Sequence, residues 1–158
     1  MRKKFVLSAV IACVAASLLA LSACGGGTTS AVSYKDGTYK GQSSVHTGGT
    51  ADDGEEAANG YGAVELTIEG GKISSCTYTT YETDGTLKGS DYGMVDGKVS
   101  NRDYYNKAQK AIAACDEYAK RLVANGSLDG IDTISGATIN YDEFVEAVND
   151  ALSQAKAS

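Results

Sequence analysis

Asp132-Thr133-Ile134-Ser135-Gly136-Ala137-Thr138 sets an acid, several hydroxyls and the two smallest side chains directly before an apolar periodic run. A loop feeding a helix gathers unpaired backbone N–H groups, and the helix dipole adds positive potential there. Gly136 and Ala137 leave that backbone open to close approach, so the position suits a phosphate. The Thr138 hydroxyl opens into the same space. Ser and Thr before a helix also act as ordinary N-caps, and local physics alone favours that role; the whole string shifts the balance. The pattern D-x-x-S-G-A-T fixes five positions. With each residue type used at about 5–8 %, a chance match is rare.

Other chemistry-bearing types are sparse. There are four cysteines and one histidine. Cys13 falls in an apolar N-terminal stretch and Cys24 closes it. Cys76 and Cys115 remain. They either pair, closing a loop worth roughly 3–4 kcal/mol in the chain-entropy model, or stay apart as small buried hydrophobes. Without a CxxC pair, a Cys/His zinc site is not expected. Asp52, Asp53, Glu55 and Glu56 crowd together in the polar, Gly-rich residues 42–60. Their spacing fits no EF-hand loop, and they read as a solvated surface loop. Nothing resembles a substrate pocket with its own acid and base, so the chain reads as a carrier more than an enzyme.

The elements that position the motif follow from periodicity. Asp36-Gly37-Thr38-Tyr39-Lys40-Gly41 reads as a turn and a short strand. Val64, Leu66 and Ile68 alternate with Glu65 and Thr67, Gly70-Gly71 follows, and residues 72–80 are rich in Ile, Thr, Tyr and Ser. That pattern predicts a β-hairpin. Met94-Val95-Asp96-Gly97-Lys98-Val99 suggests a second, shorter hairpin turn. The period then changes. From Tyr104, the residues Ala108, Ile112, Cys115, Tyr118, Leu122 and Val123 recur at three- and four-residue steps. They predict an amphipathic helix of about five turns, ended by a left-handed cap at Asn125-Gly126. A second helix is expected from near Asn140, with Phe144, Val145, Val148 and Leu152 on one face and Asn140 with Glu143 as a capping box. Strands first and helices second predict a single α+β domain: an antiparallel sheet with two helices packed on it.

The ends and the charge bear on location. Arg2, Lys3 and Lys4 precede a long apolar stretch, the layout of an export signal over residues 1–23. Leu21-Ser22-Ala23-Cys24 resembles the lipobox of bacterial lipoproteins, in which the chain is cut before the cysteine and the cysteine is lipidated. Residues 24–35 then form a Gly-rich tether, and residues 36–156 form the domain. Removing Arg2, Lys3 and Lys4 leaves 11 Lys+Arg against 20 Asp+Glu, a formal −9. Such a surface does not suit nucleic acid, nor a diffusing anionic ligand unless something local overrides the field.

Asp132, Ser135, Gly136, Ala137 and Thr138 together resemble the flavinylation motif of FMN-binding domains, as in the flavoprotein subunits of sodium-pumping quinone reductases and Rnf complexes. Gly60-Tyr61-Gly62, residues 64–68 and Gly71-Lys72-Ile73 look like that family's opening hairpin. Tyr81-Glu82-Thr83 is similar to its Glu-Thr signature near the flavin, with Asp84-Gly85 where Pro-Gly is usual. Lys88-Gly89-Ser90-Asp91-Tyr92-Gly93 looks like a feature of its small lipoprotein members. The resemblance spans about residues 36–152. It implies FMN esterified to Thr138 by a flavin transferase that uses FAD and magnesium, with Asp132, Ser135, Gly136, Ala137, Glu82 and Thr83 as further cofactor-binding residues.

These expectations combine into a lipid-anchored electron-transfer flavoprotein on the outer face of a bacterial cytoplasmic membrane. It would take electrons from a membrane dehydrogenase or quinol and pass them to an external acceptor. A surface lipoprotein that holds a small ligand without redox work is the alternative. A pilin-like structural protein would instead keep its apolar N-terminal helix.

Overall fold

The computed structural model describes residues 33–48 and 59–156. The expected signal segment, Cys24, most of the tether and the acidic residues Asp52, Asp53, Glu55 and Glu56 lie outside the described residues. Five elements follow in chain order: β1 (Gly37–Gln42), β2 (Tyr61–Glu69), β3 (Lys72–Tyr81), α1 (Arg102–Asn125) and α2 (Thr138–Ala155). The strands form one antiparallel sheet in the order β1-β2-β3. The α+β architecture read from the sequence is the one observed.

The hairpin is built as its alternation dictates. Val64, Leu66 and Ile68 are buried, and Gly70 and Gly71 both take positive φ in the turn. Leu66 faces Cys76 and Ile68 faces Ile73 across the ladder. The pairing slips between Thr67 and Ile68, leaving Ser74 as an extra residue on β3. That bulge lets Ile73, Tyr78 and Thr80 all reach the buried face although the first two stand five apart. On the open face, Lys40 lies opposite Glu65 with Nζ 3.2 Å from the carboxylate. Both are water-exposed, so this pair adds little.

Helix α2 packs on β1 and β2, and α1 packs on β3. Close approach of α2 depends on Gly41, where a Cβ would run into the Ala147 carbonyl and lie 2.5 Å from the Ala151 nitrogen. Ala147, Ala151 and Ala155 are fully buried along that contact. Helix α1 runs 24 residues, longer than the five turns read from periodicity, because Asn101 caps it by accepting from the Tyr104 N–H at 3.0 Å. It ends as expected: Gly126 has φ 73° and donates to the Leu122 carbonyl. The shorter turn also forms, with Val95 and Lys98 exchanging backbone hydrogen bonds around Asp96-Gly97. Among the described residues, no helix is long and apolar enough to cross a membrane.

The start of α2 differs from the reading at Asn140. The helix opens at Thr138, with Ala137 at the N-cap and no side-chain cap. Asn140 lies in its first turn and aims its amide at Cys115 Sγ, 3.4 Å away. Glu143 is 1 % exposed. Tertiary partners claim both side chains, so no capping box forms. Val145 is only half-buried, and the inward stripe runs through Phe144, Ala147, Val148, Ala151 and Leu152.

Candidate functional site

The 132–138 loop is fixed from α1. Tyr118 is fully buried and its hydroxyl works in both directions. It accepts from the Ile134 N–H at 2.7 Å and donates to the Ala137 carbonyl at 3.2 Å. A third bond, from the Ala137 N–H to the Ile134 carbonyl at 2.9 Å, closes the turn. Gly136 has φ 84°, a conformation that strains other side chains. The chain therefore enters α2 along a defined path. The first intrahelical bond is Tyr141 N–H to the Ala137 carbonyl. No acidic residue occupies the first turn, so no carboxylate of that turn offsets the N–H groups and the dipole.

Thr138 is exposed at this helix start, and its hydroxyl has no hydrogen-bond partner among the described residues. Gly136, Ala137 and Thr138 border a cavity of about 310 Å³, closed on other sides by Lys88, Tyr92 and Tyr104. Ser135 and Asp132 are exposed and lie outside its lining. The Asp132 backbone carbonyl receives Arg121 at 3.4 Å. Glu82 and Thr83 border a second cavity of about 470 Å³, whose lining also includes Tyr92 and Tyr104. The two tyrosines are thus common walls of both spaces. The Glu82 turn is closed by the Gly85 N–H donating to the Glu82 carbonyl at 2.9 Å, with Gly85 at φ 89°. Asp84 accepts from the Thr86 N–H at 2.9 Å. Asp84-Gly85 therefore makes a tight turn without proline.

Residues 88–93 are held against α1 by side-chain to backbone bonds. Gln109 donates to the Gly89 and Tyr92 carbonyls, and the Tyr105 hydroxyl donates to the Ser90 carbonyl. This arrangement places Tyr92. Its stacking capacity is free of Tyr61 and Tyr81, which pack on each other at 5.2 Å between ring centres.

Charge near the motif departs from that of the whole chain. Lys88 and Lys107 line the first cavity. Lys110 lies near enough that a Cβ on Gly136 would be 4.0 Å from its Nζ. In a domain of net negative charge, the helix start and Lys88 in the cavity wall make a local positive region suited to a phosphate. Burial pulls the Lys88 pKa down, while Glu143 and Glu82 oppose that pull.

Cys115, which meets Asn140 of the cavity lining, and Cys76 are both free thiols, so the disulfide alternative does not hold. Burial pushes Cys76 up to about 12 and Cys115 up to about 11. Both are inert thiols at neutral pH. Glu143 is buried with Oε1 unpartnered among the described residues. Burial pushes its pKa up, against the pull of Lys88, His46 and the Tyr78 hydroxyl. A native state that keeps this proton longer than the unfolded chain gains full stability from it only below the ordinary value of 4.5. The gain is lost as pH rises toward the folded pKa. The Glu143→Gln variant lacks this loss. Its stability relative to wild type, measured by urea unfolding, should therefore increase from about pH 4.5 to about pH 7.5. A pH-independent difference would refute the assignment.

Periodicity placed Tyr118 in the core but gave no sign of its hydroxyl's role. Tyr104, Lys107 and Lys110 were likewise not singled out as site residues. Glu143 did carry a signal: it heads the four-residue steps through Ala147, Ala151 and Ala155, which marks a carboxylate on the buried stripe.

A one-sided α+β domain with a loop-to-helix anion site and tyrosine-walled cavities has the makings of a cofactor-binding module. The chain belongs to the FMN-binding domain family, whose pattern it matches over residues 59–153. Membership implies a flavin-binding role in electron transfer. The fold is also similar to the crystal structure of the CPE2226 protein from Clostridium perfringens, a structural-genomics target. The TM-score is 0.52 at 20 % identity, over 77 % of this chain and 88 % of that one. At that identity the likeness concerns the fold alone. No curated protein matches the chain.

Proposed function

We propose that this protein carries FMN esterified through its phosphate to the Thr138 hydroxyl, and that it relays electrons outside the cytoplasmic membrane. The observation that carries this reading is the exposed Thr138 hydroxyl, unpartnered among the described residues, on a cavity edged by Lys88, Lys107, Tyr92 and Tyr104. The residues fit the group. The helix start and Lys88 suit a phosphodiester, the tyrosines offer flat faces for a ring system, and the combined space falls within the size of ordinary cofactor sites. Bound flavin would supply the redox chemistry. Gly136 and Ala137 admit the phosphate, Tyr118 holds the loop through its hydrogen bonds, and Glu82 and Thr83 line the space beyond Tyr92.

A covalent link suits a cofactor that would otherwise be diluted outside the cell, since tethering replaces bulk concentration with a fixed local one. Threonine is a weak nucleophile. Among the described residues no base hydrogen-bonds Thr138, so activation falls to a flavin transferase that uses FAD and magnesium. Asp132, on the exposed approach to the loop, is available to that enzyme. Cleavage before Cys24 and lipidation there would anchor the domain to the outer face of the membrane. The donor would be a membrane dehydrogenase or quinol, and the acceptor would be external.

The test is co-expression of the compact unit Ala31–Ser158 with a flavin transferase and magnesium, followed by intact mass measurement. The expected product gains one FMN less one water and stays yellow on denaturing gels. A colourless, unmodified product beside a transferase active on another substrate would favour the non-redox ligand-binding lipoprotein.

A further inference from the structure

Buried lysines are rare unless a partner replaces their water. Lys88 is 7 % exposed. Its backbone N–H donates to the Thr80 carbonyl at 2.9 Å, which fixes where the side chain starts. Its Nζ lies 5.2 Å from the centre of the Tyr92 ring. The ammonium also lies against the backbone of Gly60, where a Cβ would stand 2.8 Å from it. Glu143 and Glu82 act on it through space, yet neither reaches ion-pair distance among the described residues. The result is a positive charge, short of a close counter-ion, in the wall of the cavity that Thr138 opens onto.

We propose that Lys88 sets the reduction potential of the flavin carried at Thr138, by presenting its ammonium to the negative charge that reduction adds. This rests on the attachment proposed above. Two electrons and one proton taken up by a neutral ring leave one net negative charge. Lys88 keeps its own proton and balances that charge electrostatically, so no bond to it forms or breaks. The electrons come from a quinol or dehydrogenase, or from dithionite in a titration. Lys110 approaches the same motif but is exposed. Water and salt screen it, so its influence is expected to be far weaker.

The experiment compares wild type with Lys88→Met, Lys88→Gln, Lys88→Arg and Lys110→Met, each loaded by the transferase and checked for flavin by intact mass. Each is titrated with dithionite against a reference dye. Two neutral variants read the loss of charge in two packings. Melting of the flavin-free forms reports folding separately. Lys88→Met and Lys88→Gln should lower the equilibrium constant for reduction at least tenfold, about 30 mV for a two-electron couple. Lys88→Arg and Lys110→Met should stay within about threefold of wild type, the one by keeping its charge and the other because its site is screened. Loaded neutral variants with an unchanged potential would overturn the role of Lys88 alone. So would an equal drop in Lys110→Met, because net charge would then be the cause. A wild type that gains no flavin mass contradicts the Thr138 reading itself, and this one with it.

Discussion

Replacing Thr138 by Ala is expected to leave a folded, colourless protein. The threonine is exposed, is the first residue of α2 and makes no hydrogen bond among the described residues. Its loss should therefore change stability by no more than about 0.5 kcal/mol, and Ala is the better helix former. The oxygen that would carry the phosphoester is gone, so the added flavin mass should vanish completely. Thr138→Ser keeps an oxygen at that position and should still be modified. The contrast separates loss of the acceptor from loss of the fold, which circular dichroism and thermal melting verify. Flavin retained covalently in Thr138→Ala would move the attachment elsewhere.

The largest stability effect is expected at Tyr118. Its ring packs between Phe144 and Tyr141, with centroids 5.6 and 5.5 Å away. Truncation to Ala removes that packing and should cost about 3–5 kcal/mol, with the two loop bonds lost as well. In a domain of marginal stability this approaches unfolding. Tyr118→Phe isolates the hydroxyl. It leaves the Ile134 N–H without its partner while Ala137 keeps Tyr141, at a cost of about 1–3 kcal/mol. The loop should also loosen. Transfer to a misplaced acceptor is slow, so flavin loading should fall about tenfold or more under conditions where the variant is still folded. Urea unfolding gives the first quantity and a timed mass series the second. Loading of Tyr118→Phe at the wild-type rate would remove the hydroxyl from its positioning role.

Residues whose local pattern decides their place were legible in the sequence. The alternation of Val64, Leu66 and Ile68 fixed β2, and two adjacent glycines could serve only as its turn. Gly126 ended α1 where a left-handed residue was required. The 132–138 string was visible as a loop feeding a helix. What escaped depends on contacts between distant elements. Asn140 and Glu143 have the chemistry of a capping box, but Cys115 lies across from one, and Tyr78, Lys88 and His46 surround the other. No local rule shows that. Lys88 gives no periodic signal, because it follows β3 in an irregular segment and is buried only through Thr80, Gly60 and Tyr92. Glu82 and Thr83 line a space next to the Thr138 cavity rather than the same one, and only the shared Tyr92 and Tyr104 relate them.

The most direct measurement is peptide mapping of the protein purified from its native host. Trypsin should release residues 122–156 as one peptide, since no Lys or Arg lies between Arg121 and Lys156. The account predicts that this peptide carries one FMN less one water, with fragment ions placing it on Thr138. An unmodified peptide from material that the host has fully processed would contradict the account.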